Sequence, residues 1–110
     1  MGGFIRGDVV IIPFPFSDLS NSKRRPALVI ADLKGDDVIL TQITTANRSD
    51  GYSIFLKQSD FVAGGISQDS NIRPNRLFTA DSNIILKKAG TISAAKIDEV
   101  VNQIIKIVTS

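Results

Sequence analysis

The chain is 110 residues long and 43% hydrophobic, which suits one domain with a core of its own. It has no cysteine and no histidine, which excludes disulfides, thiolate nucleophiles, thiolate or imidazole metal sites and any mechanism that rests on an imidazole base. Thirteen Lys and Arg against eleven Asp and Glu leave a formal charge of +2, too weak a net field to select a polyanion, so placement must decide.

Residues 9–12 and 27–31 are short β-branched apolar runs of strand length. Between them lies an expected long loop: Pro13 and Pro15 lack amide donors, which bars a central strand, and residues 17–22 are dense in turn formers. Gly35, Asp36 and Asp37 form the turn into a third strand at 38–44, where apolar and polar side chains alternate from Leu40 onward and put Thr44 on the face opposite Ile43. A polar loop at 47–51 leads to a fourth strand at 52–56. Residues 59–63 read as one helical turn that Gly64 and Gly65 would end. Residues 70–73 and 77–80 are two short strands or one strand bent at Pro74, and 84–86 adds another. Finally, Ile97, Val100, Val101, Ile104, Ile105 and Val108 recur at helical spacing behind Ser93, a good N-cap, predicting an amphipathic helix over 94–108.

Several short strands before one terminal helix predict a mainly β fold, a small antiparallel barrel with the helix packed on it, as a single domain over 1–110. No stretch approaches ~18 uninterrupted apolar residues, so no membrane span is expected. The first eight residues lack an apolar segment behind a basic start and do not read as a signal peptide. The expected location is cytoplasmic.

Arginine is concentrated in three places. Lys23, Arg24 and Arg25 close the long loop, Arg48 follows Thr44 and Thr45, and Arg73 and Arg76 bracket Pro74 and Asn75. Guanidinium forks suit phosphate oxygens, and Pro26 holds the backbone of Arg25 extended. The same cations also suit a solvated strand edge, where charge blocks aggregation. Phe14 and Phe16 offer ring faces for unpaired bases, or belong to a core. Tyr52 has a hydroxyl for phosphate but in a strand is usually packing. The aspartates lack the close spacing of a cation loop, so neither a metal nor any other cofactor is expected.

In order along the chain, Gly7-Asp8-Val9-Val10, Pro13-Phe14-Pro15-Phe16-Ser17-Asp18 and Lys23-Arg24-Arg25-Pro26-Ala27-Leu28-Val29-Ile30 resemble the opening of the MazF/PemK toxin family of bacterial type II toxin-antitoxin modules. Thr41-Gln42-Ile43-Thr44 is similar to that family's third strand, and the stretch from Ile72 to Asp81 to its later basic motif. The resemblance runs from about Arg6 to the terminal helix. It implies an SH3-like, partly open barrel of the MazF/PemK/CcdB kind with a C-terminal helix, a homodimer, and a metal-independent endoribonuclease. Such an enzyme cuts single-stranded RNA at short sequences, leaving 2′,3′-cyclic phosphate and 5′-hydroxyl ends. An antitoxin peptide or protein is implied as partner.

Carried over position by position, Arg25 stands where the family's catalytic arginine precedes its proline, and Thr44 where its catalytic threonine ends the third strand. Arg73 falls on an arginine that some members use. Lys23, Arg24, Arg48, Arg73, Asn75, Arg76 and Phe16 form the expected RNA-binding set, with Asp50 and Asp81 as weaker candidates for positioning. Two departures stand out. Where some members have an aspartate two residues after the second arginine this chain has Asn75, which does not ionise, and the histidine some carry in the first loop is missing. The competing reading is a non-catalytic module on the same barrel, binding nucleic acid or poisoning a protein target as gyrase inhibitors of similar fold do; fold alone does not choose between them.

Overall fold

A computed structural model describes residues 3–14, 23–46 and 50–110, with Phe14 described in its backbone alone. Phe16 and Arg48, from the expected RNA-binding set, lie outside the described residues.

Seven strands form one antiparallel sheet: β1 (Asp8–Phe14), β2 (Lys23–Asp32), β3 (Asp37–Thr44), β4 (Ile54–Leu56), β5 (Phe61–Gly64), β6 (Ser70–Asp81) and β7 (Lys87–Ile92). They are followed by α1 (Ala94–Thr109), and the strand order across the sheet is β4-β6-β3-β2-β1-β7-β5. Laid flat, that order would separate its edges by six strand spacings, about 29 Å at about 4.8 Å each. Yet the two edge strands are consecutive in the chain, joined only by residues 57–60, a connection that spans about 18 Å at full extension. The sheet must therefore curl, and the result is the partly open barrel expected from the sequence.

Alternation gives the sheet two buried faces. The inner face carries Val9, Leu28, Ile43, Ile54, Leu56, Ile72 and Ile92, closed by Val100 of α1 with Ile97 and Ile104 packed beside it. The outer face carries Val10, Ile12, Ala27, Val29, Val38 and Leu40, covered in part by Phe4, Phe78 and Ile85. Each fully buried Val, Leu or Ile among them contributes about 1.5–3 kcal/mol. The Ser93 hydroxyl accepts from Lys96 N at 3.2 Å and caps α1 as predicted. No helix among the described residues is long and apolar enough to cross a membrane.

Each proline inside a strand sits where a ladder partner is missing. Pro13 pairs with Arg24 of β2, on the side of β1 that continues after β7 has stopped at Ile11↔Lys87. Pro26 pairs with Ile11 of β1, past the point where β3 leaves β2. Pro74 lies in the irregularity of the β3–β6 ladder, which passes from Thr41↔Leu77 to Gln42↔Arg73 and leaves residues 74–76 unopposed. Thus 70–81 is one bent strand, and residues 13–14 and 23–25 belong to strands rather than to the expected loop.

Other boundaries differ from expectation for local reasons. The fourth strand begins at Ile54 rather than Tyr52, because the Asp50 carboxylate takes the amides of Tyr52 and Ser53 at 2.9 and 3.1 Å. The expected helical turn at 59–63 is a short 3-10 turn, Gln58–Asp60, followed by β5, since Phe61 finds a partner in Ile92. The expected strand at 84–86 is replaced by a 3-10 turn, Ser82–Ile84, capped by Asp81; Leu86 N then donates to Ile11 O at 2.8 Å and β7 starts at Lys87.

Candidate functional site

The site arises where the sheet divides. The β2–β3 ladder ends at Ala27↔Gln42. Beyond it β2 runs on with β1 as far as Phe14↔Lys23, while β3 runs on with β6 as far as Thr44↔Asn71. The two strands part, and the interior of the barrel opens between them as a mouth of about 620 Å³. Arg24, Arg25 and Pro26 form one wall and Ile43, Thr44 and Thr45 the other; Ile11, Lys87, Lys88 and Ala89 lie across from them, and residues 65–68 with Ser70 complete the rim.

Continuing the β2–β3 register by two residues sets Arg25 level with Thr44, so the two stand on opposite walls of the opening. Thr44 is 8% exposed, and its Oγ1 accepts from Ala46 N at 3.1 Å. That bond leaves the O–H free to donate. Asn71, opposite Thr44 on β6, donates through Nδ2 to Ala46 O at 3.1 Å, so the turn after Thr44 is held from both sides. Arg25 is half-buried, and among the described residues its guanidinium has no ion-pair or hydrogen-bond partner.

Arg73 stands opposite Gln42 on β6, on the same face as Thr44 two residues along β3. Its Nη2 meets Asp50 Oδ2 at 3.4 Å, while its buried Nε has no partner among the described residues. Donation from Tyr52 N holds the Asp50 carboxyl below the usual aspartate range, with further help from Ser53 and Arg73 against a smaller opposing effect of desolvation. The 74–76 segment is fixed from beneath by the buried Thr41, whose hydroxyl donates to Arg73 O and lies 3.4 Å from Arg76 O.

Of the expected residues, Arg24, Arg25 and Thr44 come together at the mouth. Arg73 is outside that lining, on the face of the β3–β6 pair that also carries Thr44. Lys23, Asn75 and Arg76 are exposed and stand outside the lining. Asp81 is at the far end of β6, opposite Asp37, where it caps the turn at Ser82–Ile84. Sequence reasoning missed Lys87, Lys88 and the rim at 65–68 with Ser70. The Lys-Lys pair was visible as a charge doublet, but only the pairing of β7 with β1 carries it to the mouth. Among the described residues the lining holds four cations and no carboxylate. In a chain of net charge +2, this is a concentrated positive site able to take phosphate oxygens.

A family model described as PemK-like, MazF-like toxin of type II toxin-antitoxin system matches residues 5–108. None of the curated proteins matches the sequence. Among solved structures, a MazE-MazF complex from Deinococcus radiodurans superposes with a TM-score of 0.77 at 15% identity, covering 96% of this chain and 96% of its own. An endoribonuclease in complex with its cognate antitoxin, from a mycobacterial species, gives 0.71 at 16% identity over 97% and 96% of the two chains. The Mycobacterium tuberculosis toxin MazF-mt6 gives 0.65 at 16% identity over 86% and 91%.

Proposed function

Because the chain belongs to the PemK-like, MazF-like toxins of type II toxin-antitoxin systems, we propose that it is an endoribonuclease that cuts single-stranded RNA at the barrel mouth without a metal. The observation that carries this reading is the placement of Arg25 and Thr44 on opposite walls of an opening whose described lining is cationic and holds no carboxylate. The 2′-hydroxyl attacks the adjacent phosphorus and the 5′-oxygen leaves, giving a 2′,3′-cyclic phosphate and a 5′-hydroxyl. Charge builds on the non-bridging oxygens, and fixed donors stabilise it there. Arg25 holds the scissile phosphate, and Thr44 donates its free O–H to one of those oxygens. Free arginine has a pKa of about 12.5 or more, so Arg25 acts as a cation and proton donor, not as a base. Asn75 can hydrogen-bond RNA but cannot take up the 2′-hydroxyl proton, because an amide does not titrate.

Arg73, clamped by Asp50, extends the positive face along the strand path, with Lys23, Arg24 and Arg76 adding charge at its flanks. The natural restraint on such a site is an acidic, partly disordered antitoxin segment that folds onto the same cations and displaces RNA. One of the similar solved structures is described as an endoribonuclease in complex with its cognate antitoxin and another as MazE-MazF, which supports that pairing. A homodimer fits the exposed Ile105 and Val108 on the outer stripe of α1.

The test is a long single-stranded RNA incubated in EDTA with the protein and, in parallel, with Arg25→Ala. Discrete new 5′-hydroxyl ends that vanish in the variant support the reading. Intact RNA with folded protein overturns it in favour of a non-catalytic binding module.

A further inference from the structure

Resting on that reading, we propose that Lys87 of β7 forms a second phosphate subsite, which holds the RNA phosphate next to the one at Arg25. Direct opposition in a ladder places side chains on one face. Pro26, Ile11 and Lys87 lie in such a row across β2, β1 and β7, and Ile11 lies in the mouth's lining. Lys87 therefore lies on the inner face with Pro26, about 9.6 Å or two strand spacings away, while Arg25, opposite Ile12, leaves β2 from the other face at the open end of the sheet and lines the same mouth. Both side chains are long and line one opening, so a strand whose phosphate is held at Arg25 passes within reach of Lys87. Lys88, in the same lining, opposes Val10 on the outer face, and its Nζ lies 4.0 Å from the buried Asp8 carboxylate. Lys87 has no such engagement among the described residues. An exposed ammonium with no ion pair, at an opening whose described lining holds no carboxylate, is available to an incoming anion. Lysine, a mobile point charge, suits a phosphate that must be held but not oriented for reaction.

Each single-strand phosphate neutralised by a protein cation adds about 0.7 to the slope of log affinity against log salt. The probe is an oligonucleotide spanning a mapped cut and 2′-O-methylated throughout, so that no nucleophile remains. Its affinity is measured over a salt series for the wild type, Lys87→Ala, Lys87→Arg and Lys34→Ala, the last an exposed lysine in the β2–β3 turn. The expected result is a slope shallower by about 0.7 in Lys87→Ala, with wild-type slopes in Lys87→Arg and Lys34→Ala. A wild-type slope in Lys87→Ala overturns the subsite while leaving the endoribonuclease reading intact. An equal fall in Lys34→Ala also overturns it, because the effect is then one of net charge. If the wild type itself shows no salt-dependent binding, both readings fall together.

Discussion

Arg73 Nη2 and Asp50 Oδ2 meet at 3.4 Å, joining β6 to the turn that precedes β4 and pinning a guanidinium on the face that carries Thr44. Asp50 also accepts from Tyr52 N and Ser53 N, so it organises the turn and orients the arginine together. Asparagine keeps the acceptor oxygen for those amides but loses the charge. Asp50→Asn is expected to fold normally and to lose roughly three- to tenfold in kcat/KM for RNA. The sign of the pH effect follows from the lowered Asp50 pKa. The clamp's contribution is complete above the ordinary value near 3.8 and is lost as pH falls through the lower folded value. The loss in Asp50→Asn should therefore be the same at every pH through the neutral range. An unchanged rate, or a loss that itself titrates near pH 7, would refute the clamp.

Thr44 separates a chemical role from a packing role. Its oxygen accepts from Ala46 N while its proton remains free, and serine reproduces both functions whereas valine reproduces neither. Thr44→Ser should retain cleavage within a few-fold. Thr44→Val should lower kcat by about 10²–10³, the range for removal of one donor to a developing oxyanion. The valine variant also leaves an amide unpaired, at a cost of about 1–3 kcal/mol, so unfolding in urea must accompany the kinetics. Comparable activity in the two variants would remove Thr44 from the chemistry.

How much of this was legible depended on whether a residue's role was local. The helix and its Ser93 cap were visible because a 3.6-residue period and a capping side chain are properties of one segment. The strand at Lys87–Ile92 was not, since its apolar content is low and its pairing with Asp8–Ile11 spans most of the chain. Its absence from the sequence reading also hid β5, which pairs only with it, and the two lysines at the mouth. Arg25 and Thr44 could be named from the family resemblance, but their relation could not: it depends on where the β2–β3 ladder ends. The prolines at 13, 26 and 74 marked real interruptions. What they interrupted was one side of a strand rather than the strand itself.

The bulge at 74–76 depends on a single buried hydroxyl. Thr41 is fully buried and donates to Arg73 O, with Arg76 O 3.4 Å away. Valine matches its shape without the donor, so Thr41→Val takes the hydroxyl donor away from the part-buried Arg73 carbonyl, at an expected cost of about 1–3 kcal/mol. Because Arg73 follows that carbonyl, RNA cleavage should fall together with the urea midpoint. A variant as stable as the parent would mean that water or another donor satisfies the bulge.

Gly90 controls the opposite rim. A Cβ there would lie 2.5 Å from Ala63 O and 2.8 Å from Gly65 N, both backbone atoms that cannot rotate away. Only glycine lets β5 approach β7 at the Gly64↔Gly90 pair, and the segment lining the mouth at 65–68 leaves directly from that pair. Gly90→Ala must push β5 outward and should destabilise the fold by about 1–3 kcal/mol, as overpacking does. It should also lower RNA affinity although it removes no charge, because the rim moves with β5. Urea unfolding and binding of the 2′-O-methylated probe test the two effects separately. Lost stability with unchanged affinity would show that the rim takes no part in holding RNA.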